Sequence, residues 1–361
     1  AYYRWTHLMA LTEVGAPAAR FALPPATFHA WAAEQQSTYP HAMTCLTTHD
    51  TKRSEDVRAR LGVLSEFGQT WDEAVERMRV ASEPYRPSEL DGRMENLWWQ
   101  TLAGTYDDSG PLEWHRLSDY LVKAMREAKS FTTWTSSNER YEHAVLGFAD
   151  LTLHDVAIGE ILETWHRDTM ASRRAATLGM KLLQLTIPGV ADVYRGTETC
   201  DPSLVDPDNR RPVDFDTLAL TLSRLDAGTR PRTLAEEKQW VTACALRVRR
   251  ARRDAFIGEA SGYQALASSS GHAVVFARTL SGDPVVITVA TRMALELEHL
   301  GGWADATVQL PEGSLPEGSL PEGTRLKGTW RDALTGTTHA GGAAPLADIL
   351  ATYPVALLER A

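Results

Sequence analysis

Residues 42–48, Ala-Met-Thr-Cys-Leu-Thr-Thr, form a short apolar and β-branched run without strict alternation. That pattern predicts a strand buried on both faces, as in a parallel sheet. The run passes directly into the polar cluster His49-Asp50-Thr51-Lys52-Arg53. Val57, Leu61 and Leu64 then keep helical spacing, with Ser54 placed as the N-cap and Glu55 and Asp56 in the first turn. Strand, charged loop, helix is a βα unit of an α/β fold, in which catalytic groups sit at the C-terminal strand ends.

From about residue 70 to 185 the period is helical. Trp71, Val75 and Met78 share one face, as do Met94, Leu97, Trp98 and Leu102, with Gly104 read as the residue that closes that helix. Leu117, Leu121 and Ala124 continue the pattern, followed by Leu178, Leu182 and Leu185. The stretch reads as an α-helical insertion between two barrel units. Leu183 to Val193 changes character and predicts a second strand, delivering Asp192-Val193-Tyr194-Arg195-Gly196-Thr197-Glu198 at its end. Beyond 260, His272 to Arg278 and Pro284 to Ala290 are β-rich runs joined by Ser281-Gly282-Asp283, a hairpin signal. The Gly-rich remainder, including Lys327 to Asp332, fits a small antiparallel β domain. Residues 310–324 repeat Leu-Pro-Glu-Gly-Ser/Thr three times, too few copies for a solenoid, and read as an expanded hairpin loop.

The length of 361 residues favours two or three domains. The composition, 43% hydrophobic with 25 Gly and 18 Pro, is globular and excludes a disordered or collagen-like chain. No run approaches the ~18 apolar residues of a membrane span. A net charge of −10 argues against non-specific nucleic-acid binding, which needs a basic surface. Cys45, Cys200 and Cys244 are odd in number, far apart and without CxxC spacing, so neither a disulfide framework nor a zinc site is expected, and a reducing cytoplasm fits. The chain opens Ala1-Tyr2-Tyr3-Arg4-Trp5, without Met, a charged n-region or an apolar signal core, and reads as entered partway through a domain. Eleven Trp residues serve either core packing or aromatic platforms for sugar rings.

Eight of the twelve residues from His49 to Arg60 are ionisable. Glu55 to Arg60 read as a solvated helix start with intrahelical ion pairs, whereas His49 to Arg53 stand at the end of a buried strand, where a barrel builds its site. A second polar cluster has Asp201, Asp206, Asp208 and Asp214 around Asn209-Arg210-Arg211. Its spacing lacks the calcium-loop positions, so no metal is expected, and Asp, Asn and Arg there suit sugar hydroxyls better. Neither GxGxxG, a Walker A loop, GxSxG nor HExxH occurs, and no cofactor is expected. Arg247, Arg249, Arg250, Arg252 and Arg253 read as a solvated basic helix face.

Met43 to Glu66 (MTCLTTHDTKRSEDVRARLGVLSE) resembles the corresponding segment of maltooligosyltrehalose synthases, a branch of the α-amylase superfamily. Leu11 to Gly15, Ala128 to Thr135, Pro188 to Glu198 and Ser203 to Asp214 resemble family segments in the same order, with departures at Ala16-Pro17, Arg195 and Thr199-Cys200. The resemblance spans about residues 2 to 360. It implies the C-terminal part of a (β/α)8 TIM barrel with a large α-helical insertion, followed by a small antiparallel β-sandwich domain. The parts are the end of the barrel over 1–68, the insertion over 69–171, closing barrel units over 172–258 and the β domain over 259–361. It implies a retaining glucosylmutase that turns the reducing-end α-1,4 linkage of a maltooligosaccharide into an α,α-1,1 linkage. The family uses an Asp nucleophile, a Glu acid/base and a second Asp that stabilises the oxocarbenium-like transition state. Asp50, beside His49, matches that second Asp and is the expected catalytic residue. His49, Lys52, Arg53, Glu55, Tyr194, Glu198, Asp208 and Arg210 are the expected substrate contacts. The nucleophile and acid/base have no matching context here and are expected upstream, in the N-terminal half of the same barrel, on the same or a separate chain. A maltooligosaccharide is the expected substrate, with neither nucleic acid nor membrane as partner. Two other readings stay open: a maltooligosaccharide hydrolase or transferase on the same scaffold, and a non-catalytic glucan-binding subunit.

Overall fold

The computed structural model describes residues 2–17, 19–312 and 328–361. Most of the five-residue repeat, from 313 on, lies outside the described residues, as does Lys327. The chain packs as two compact units, each assembled from separated segments. One comprises residues 1–21, 47–173 and 201–213; the other comprises 22–46, 174–200 and 214–361.

The first unit is helical: α2 (Glu55–Val63), α3 (Gly68–Ser82), α4 (Gly92–Thr105), α5 (Trp114–Ala128), α6 (Glu139–Leu153) and α7 (Val156–Asp168). The second unit opens with α1 (Pro25–Thr38) and β1 (Met43–Thr44), and α8 (Met170–Thr186) runs from the first unit into it. It continues with β2 (Val190–Ala191), α9 (Phe215–Asp226), α10 (Leu234–Ala251) and α11 (Arg253–Phe256). There follow β3 (Ser261–Ala265), β4 (Ala273–Leu280), β5 (Asp283–Thr291), α12 (Ala294–His299) and β6 (Thr307–Leu310). The chain ends through β7 (Thr329–Asp332), β8 (Thr338–Ala340), β9 (Gly342–Pro345), α13 (Leu346–Ile349) and β10 (Val355–Arg360).

Side-chain caps start the helices where the sequence places short polar residues. Ser54 accepts from the Val57 N–H, and Asp91, Asn138 and Asp155 cap α4, α6 and α7 in the same way. In the helical unit α2 packs on α4, α3 on α7 and α5 on α6, burying Leu61, Trp98, Leu102, Leu121 and Phe148. Trp71, Trp98, Trp99, Trp165 and Trp330 are all buried, so these five are packing residues; Trp31 and Trp134 are exposed.

In the second unit a six-stranded sheet runs β3-β4-β5-β10-β7-β8 and β6 pairs with β9, every pairing antiparallel. The β4–β5 hairpin turns through Ser281 and Gly282, both at positive φ, as a two-residue primed turn requires. One face of the large sheet is covered by Leu178, Leu182 and Leu185 of α8 and Val241, Ala245 and Val248 of α10. The other packs against Val308, Leu310, Ala344 and Leu346 from the β6–β9 pair and α13. Both faces are therefore apolar, and β4 and β5 carry near-continuous buried runs.

Several expectations change. The strand foreseen over 42–48 shrinks to Met43–Thr44, pairing in parallel with Val190–Ala191. It is not buried on both faces: Met43 is 71% exposed, because β1 and β2 form a sheet of two strands among the described residues. The second strand is equally short, since α8 persists to Thr186 and takes up the residues that precede it. Gly104 lies inside α4 and does not close it; a Cβ there would stand 3.0 Å from the Leu61 side chain and 3.1 Å from that of Val57. The start of α2 is not solvated: Glu55, Asp56 and Arg60 are buried. Of the arginine run, Arg247, Arg250, Arg252 and Arg253 are exposed as expected, and Arg249 is half-buried. Arg247 pairs with Asp226, and Arg249 turns its guanidinium onto the carbonyls of Leu185 and Gly189.

Candidate active site

The His49–Asp50 loop follows β1 and leads to the N-terminus of α2. A serine/threonine turn shapes it. The Thr51 hydroxyl donates to the Thr48 carbonyl at 2.8 Å and accepts from the Thr48 N–H at 3.2 Å, and the Asp50 N–H donates to Thr48 Oγ1 at 3.2 Å. The turn leaves the two residues at its apex outside. The Asp50 side chain is 73% exposed and His49 56%, with Nε2 to Oδ2 at 3.4 Å.

Two side chains from distant segments hold this loop. The buried Glu13 carboxylate accepts the Lys52 N–H at 2.8 and 3.0 Å and the Arg53 N–H at 3.3 Å. Asn209 donates its amide to the carbonyls of His49 at 3.0 Å and Thr48 at 3.3 Å. Glu13 is not among the expected site residues and Asn209 is expected only within the polar cluster suited to sugar hydroxyls, although both lie in segments that resemble the family. Their function is to hold backbone, which leaves no mark in residue type or spacing.

The expected contacts divide by burial. Arg53 is 1% exposed; its Nη2 donates to the Tyr120 hydroxyl at 3.1 Å and its Nη1 lies 3.4 Å from the carbonyls of Met9 and Thr12. Glu55, 2% exposed, accepts from the Thr47 hydroxyl at 3.0 Å. Asp208 takes the Arg116 guanidinium on both oxygens, at 2.6 and 3.0 Å, and the Leu204 N–H at 2.9 Å. All three charges are met by protein partners, Arg53 and Glu55 at the loop itself and Asp208 at Arg116 and Leu204. Burial alone would push the Arg116 guanidinium down, but the hydrogen bonds and charge of Asp208 outweigh it and hold it above its usual value.

Lys52 is half-buried, its ammonium 5.4 Å from the Tyr2 ring centroid. Arg210 is exposed and ion-paired with Asp206 one turn back. Tyr194 and Glu198 belong to the second unit, half-buried in a turn where Thr197 donates backbone N–H and hydroxyl to the Tyr194 carbonyl at 2.9 and 2.7 Å. Among the described residues there is no group of three or more His, Cys, Asp or Glu able to hold a metal, no disulfide, and no helix long and apolar enough to cross a membrane. The loop of the helical unit thus offers an exposed carboxylate beside an imidazole, held in place by buried groups. That arrangement can stabilise positive charge on a sugar ring and hydrogen-bond its hydroxyls.

No family model matches the chain. It is 38% identical, over 99% of its own length, to a Mycobacterium tuberculosis (strain H37Rv) protein carrying the name "Putative maltooligosyl trehalose synthase". The chain spans 43% of the length of that relative. A solved maltooligosyltrehalose synthase from Arthrobacter ramosus is similar over 100% of this chain and 44% of its own, with 36% identity and a TM-score of 0.86. The solved DSM5389 glycosyltrehalose synthase is similar over 100% of this chain and 43% of its own, with 27% identity and a TM-score of 0.77.

Proposed function

We propose, from a chain homologous along its whole length to part of the maltooligosyltrehalose synthases, that it takes part in converting the reducing-end α-1,4 linkage of a maltooligosaccharide into an α,α-1,1 linkage. In this reading the reaction is retaining, and Asp50 is the carboxylate that stabilises the oxocarbenium-like transition state. Negative charge fixed beside a developing cation acts without reorganising during the reaction, which is the source of its effect. His49, Lys52, Arg210, Tyr194 and Glu198 are the proposed sugar contacts. Glu13, Asn209, Arg53, Glu55 and the Arg116–Asp208 pair keep the loop in place. The nucleophile and the acid/base come from the remainder of a (β/α)8 barrel, of which the parallel β1–β2 pair is a part. The antiparallel sheets are a β-sandwich domain closing the chain. Over the sequence this divides into barrel end (1–68), helical insertion (69–171), closing barrel units (172–258) and β domain (259–361). The compartment is cytoplasmic.

The observation that carries the proposal is the exposed Asp50 on a rigid loop after a parallel strand. Asp50→Asn keeps the shape and removes the charge. In the native protein that contains this chain, conversion of maltopentaose to its non-reducing isomer should fall by about 10²–10³-fold, on the scale of losing one preorganised electrostatic group. Melting temperature should stay unchanged, since the side chain is exposed. Retained conversion in Asp50→Asn overturns the assignment, and a product that stays reducing overturns the mutase reading in favour of hydrolysis or transfer.

A further inference from the structure

A cavity of about 200 Å³ lies between α5 and the 205–211 segment, within the helical unit. We infer that it holds one glucosyl unit of an α-1,4-glucan, at a position separate from the reacting linkage. The inference rests on the proposed function for its ligand class. Its own support comes from the lining.

Tyr120, Val205 and Pro207 supply apolar wall, the kind of surface that the C–H faces of a pyranose cover. The polar lining is balanced in charge: Arg116, Lys123 and Arg211 against Asp119, Asp206 and Asp208, with His115 at the rim. An anion such as phosphate would meet three carboxylates as well as three cations and gain little. A neutral polyol, in contrast, can use donors and acceptors of both kinds.

The polar groups are also unequally committed. Arg116 and Asp208 are about nine-tenths buried and satisfy each other through two hydrogen bonds, which makes them a fixed floor. Lys123 Nζ donates to the Asp206 carbonyl at 2.7 Å, stands 3.9 Å from Glu127 Oε1 and retains a further N–H group. The Asp119 carboxylate has no hydrogen-bond or ion-pair partner among the described residues. A rigid floor with an ammonium and an uncommitted carboxylate above it is a receptor for vicinal hydroxyls. The cavity wall includes Asp208 and Arg211, which bracket Asn209, whose amide holds the His49 carbonyl. Filling the cavity would therefore steady the segment that positions the His49–Asp50 loop.

The test is titration of the full chain with maltose, followed by calorimetry and by the NMR resonances of the His115 imidazole. Maltose should bind and shift the His115 signals, and Asp119→Leu should weaken binding by about tenfold, the loss of one hydrogen bond to a charged group. Asp119→Asn, which keeps the acceptor, should retain most of the affinity. Inorganic phosphate should not compete. His115 signals that stay put at saturating maltose overturn the inference, as do parental affinity in Asp119→Leu or displacement by phosphate. A chain that binds no maltose here, while Asp50→Asn still abolishes maltopentaose conversion in the native protein, overturns the cavity and leaves the proposed function standing.

Discussion

Asn209 commits its side-chain amide to two backbone carbonyls, those of Thr48 and His49, which lie 161 and 160 positions away in the chain. Glu13 closes the same loop from the other side, 39 residues before Lys52. Neither bond touches the side chains of the exposed pair that is proposed to meet the sugar, yet both decide where that pair stands. Asn209→Ala is therefore expected to act on geometry. Misplacing a reacting group by about 1 Å can cost ~10²-fold, so maltopentaose conversion in the native protein should drop by one to two orders of magnitude. The stability cost should be on the order of 1–3 kcal/mol, because carbonyls of the loop lose a donor. Steady-state kinetics and a thermal melt on one preparation check both; unchanged kcat would place Asn209 outside the site. At this scale the sequence revealed the apex of the site and concealed its support. His49 and Asp50 announce themselves as charges at a strand end. Arg53 and Glu55 carry the same signal but point inward, and only burial distinguishes them.

The helices of the 70–185 stretch were legible by their period and some also by a cap, although α3 and α5 lack a side-chain cap and α1 was not foreseen. Ser54, Asp91, Asn138 and Asp155 stand where short polar residues precede apolar periodicity, and each accepts a hydrogen bond from the first turn. The two parallel strands were legible in place but not in extent, since the length of a strand depends on partners distant in sequence. Gly189 shows the constraint that spacing does not reveal. Its φ is +120°, and a Cβ there would stand 2.6 Å from the Ala42 carbonyl oxygen, so only glycine lets β2 approach β1. Gly104 was misread for a related reason: a glycine near a helix end suggests a terminus, while here it makes room for α2. Two substitutions separate these meanings. Gly104→Val overpacks the α2–α4 contact and should destabilise by about 1–3 kcal/mol. Gly62→Ala, within α2 with nothing within 4 Å of the added carbon, should stabilise by roughly 0.5–1 kcal/mol. Opposite shifts in urea midpoint at constant slope confirm the packing role, whereas a neutral Gly104→Val would refute it.

At the scale of the molecule the proposed chemistry asks for more than the described residues supply. A retaining mechanism needs two carboxylates flanking the scissile bond, about 5–5.5 Å apart, one as nucleophile and one as acid/base. Asp50 in its proposed role is neither, and the proposed function assigns those two roles to no other Asp or Glu of this chain. The fold is compatible with that proposal on a separate ground. The β1–β2 sheet leaves Met43 exposed, and a two-stranded parallel sheet is marginal without further strands or covering helices. Under the proposed function, one further partner, carrying both remaining carboxylates and continuing the sheet, would answer both. Native mass spectrometry of material from its source organism decides the matter without any mutation. A species heavier than 361 residues allow, or a second polypeptide held tightly to the first, is the expected result. Its added sequence should then carry an Asp and a Glu whose replacement abolishes conversion of maltopentaose while leaving its binding intact. A stable native species of 361 residues alone would instead separate binding from catalysis. Asp50 would then serve recognition, and the glucan-binding subunit would become the better reading of the same exposed loop.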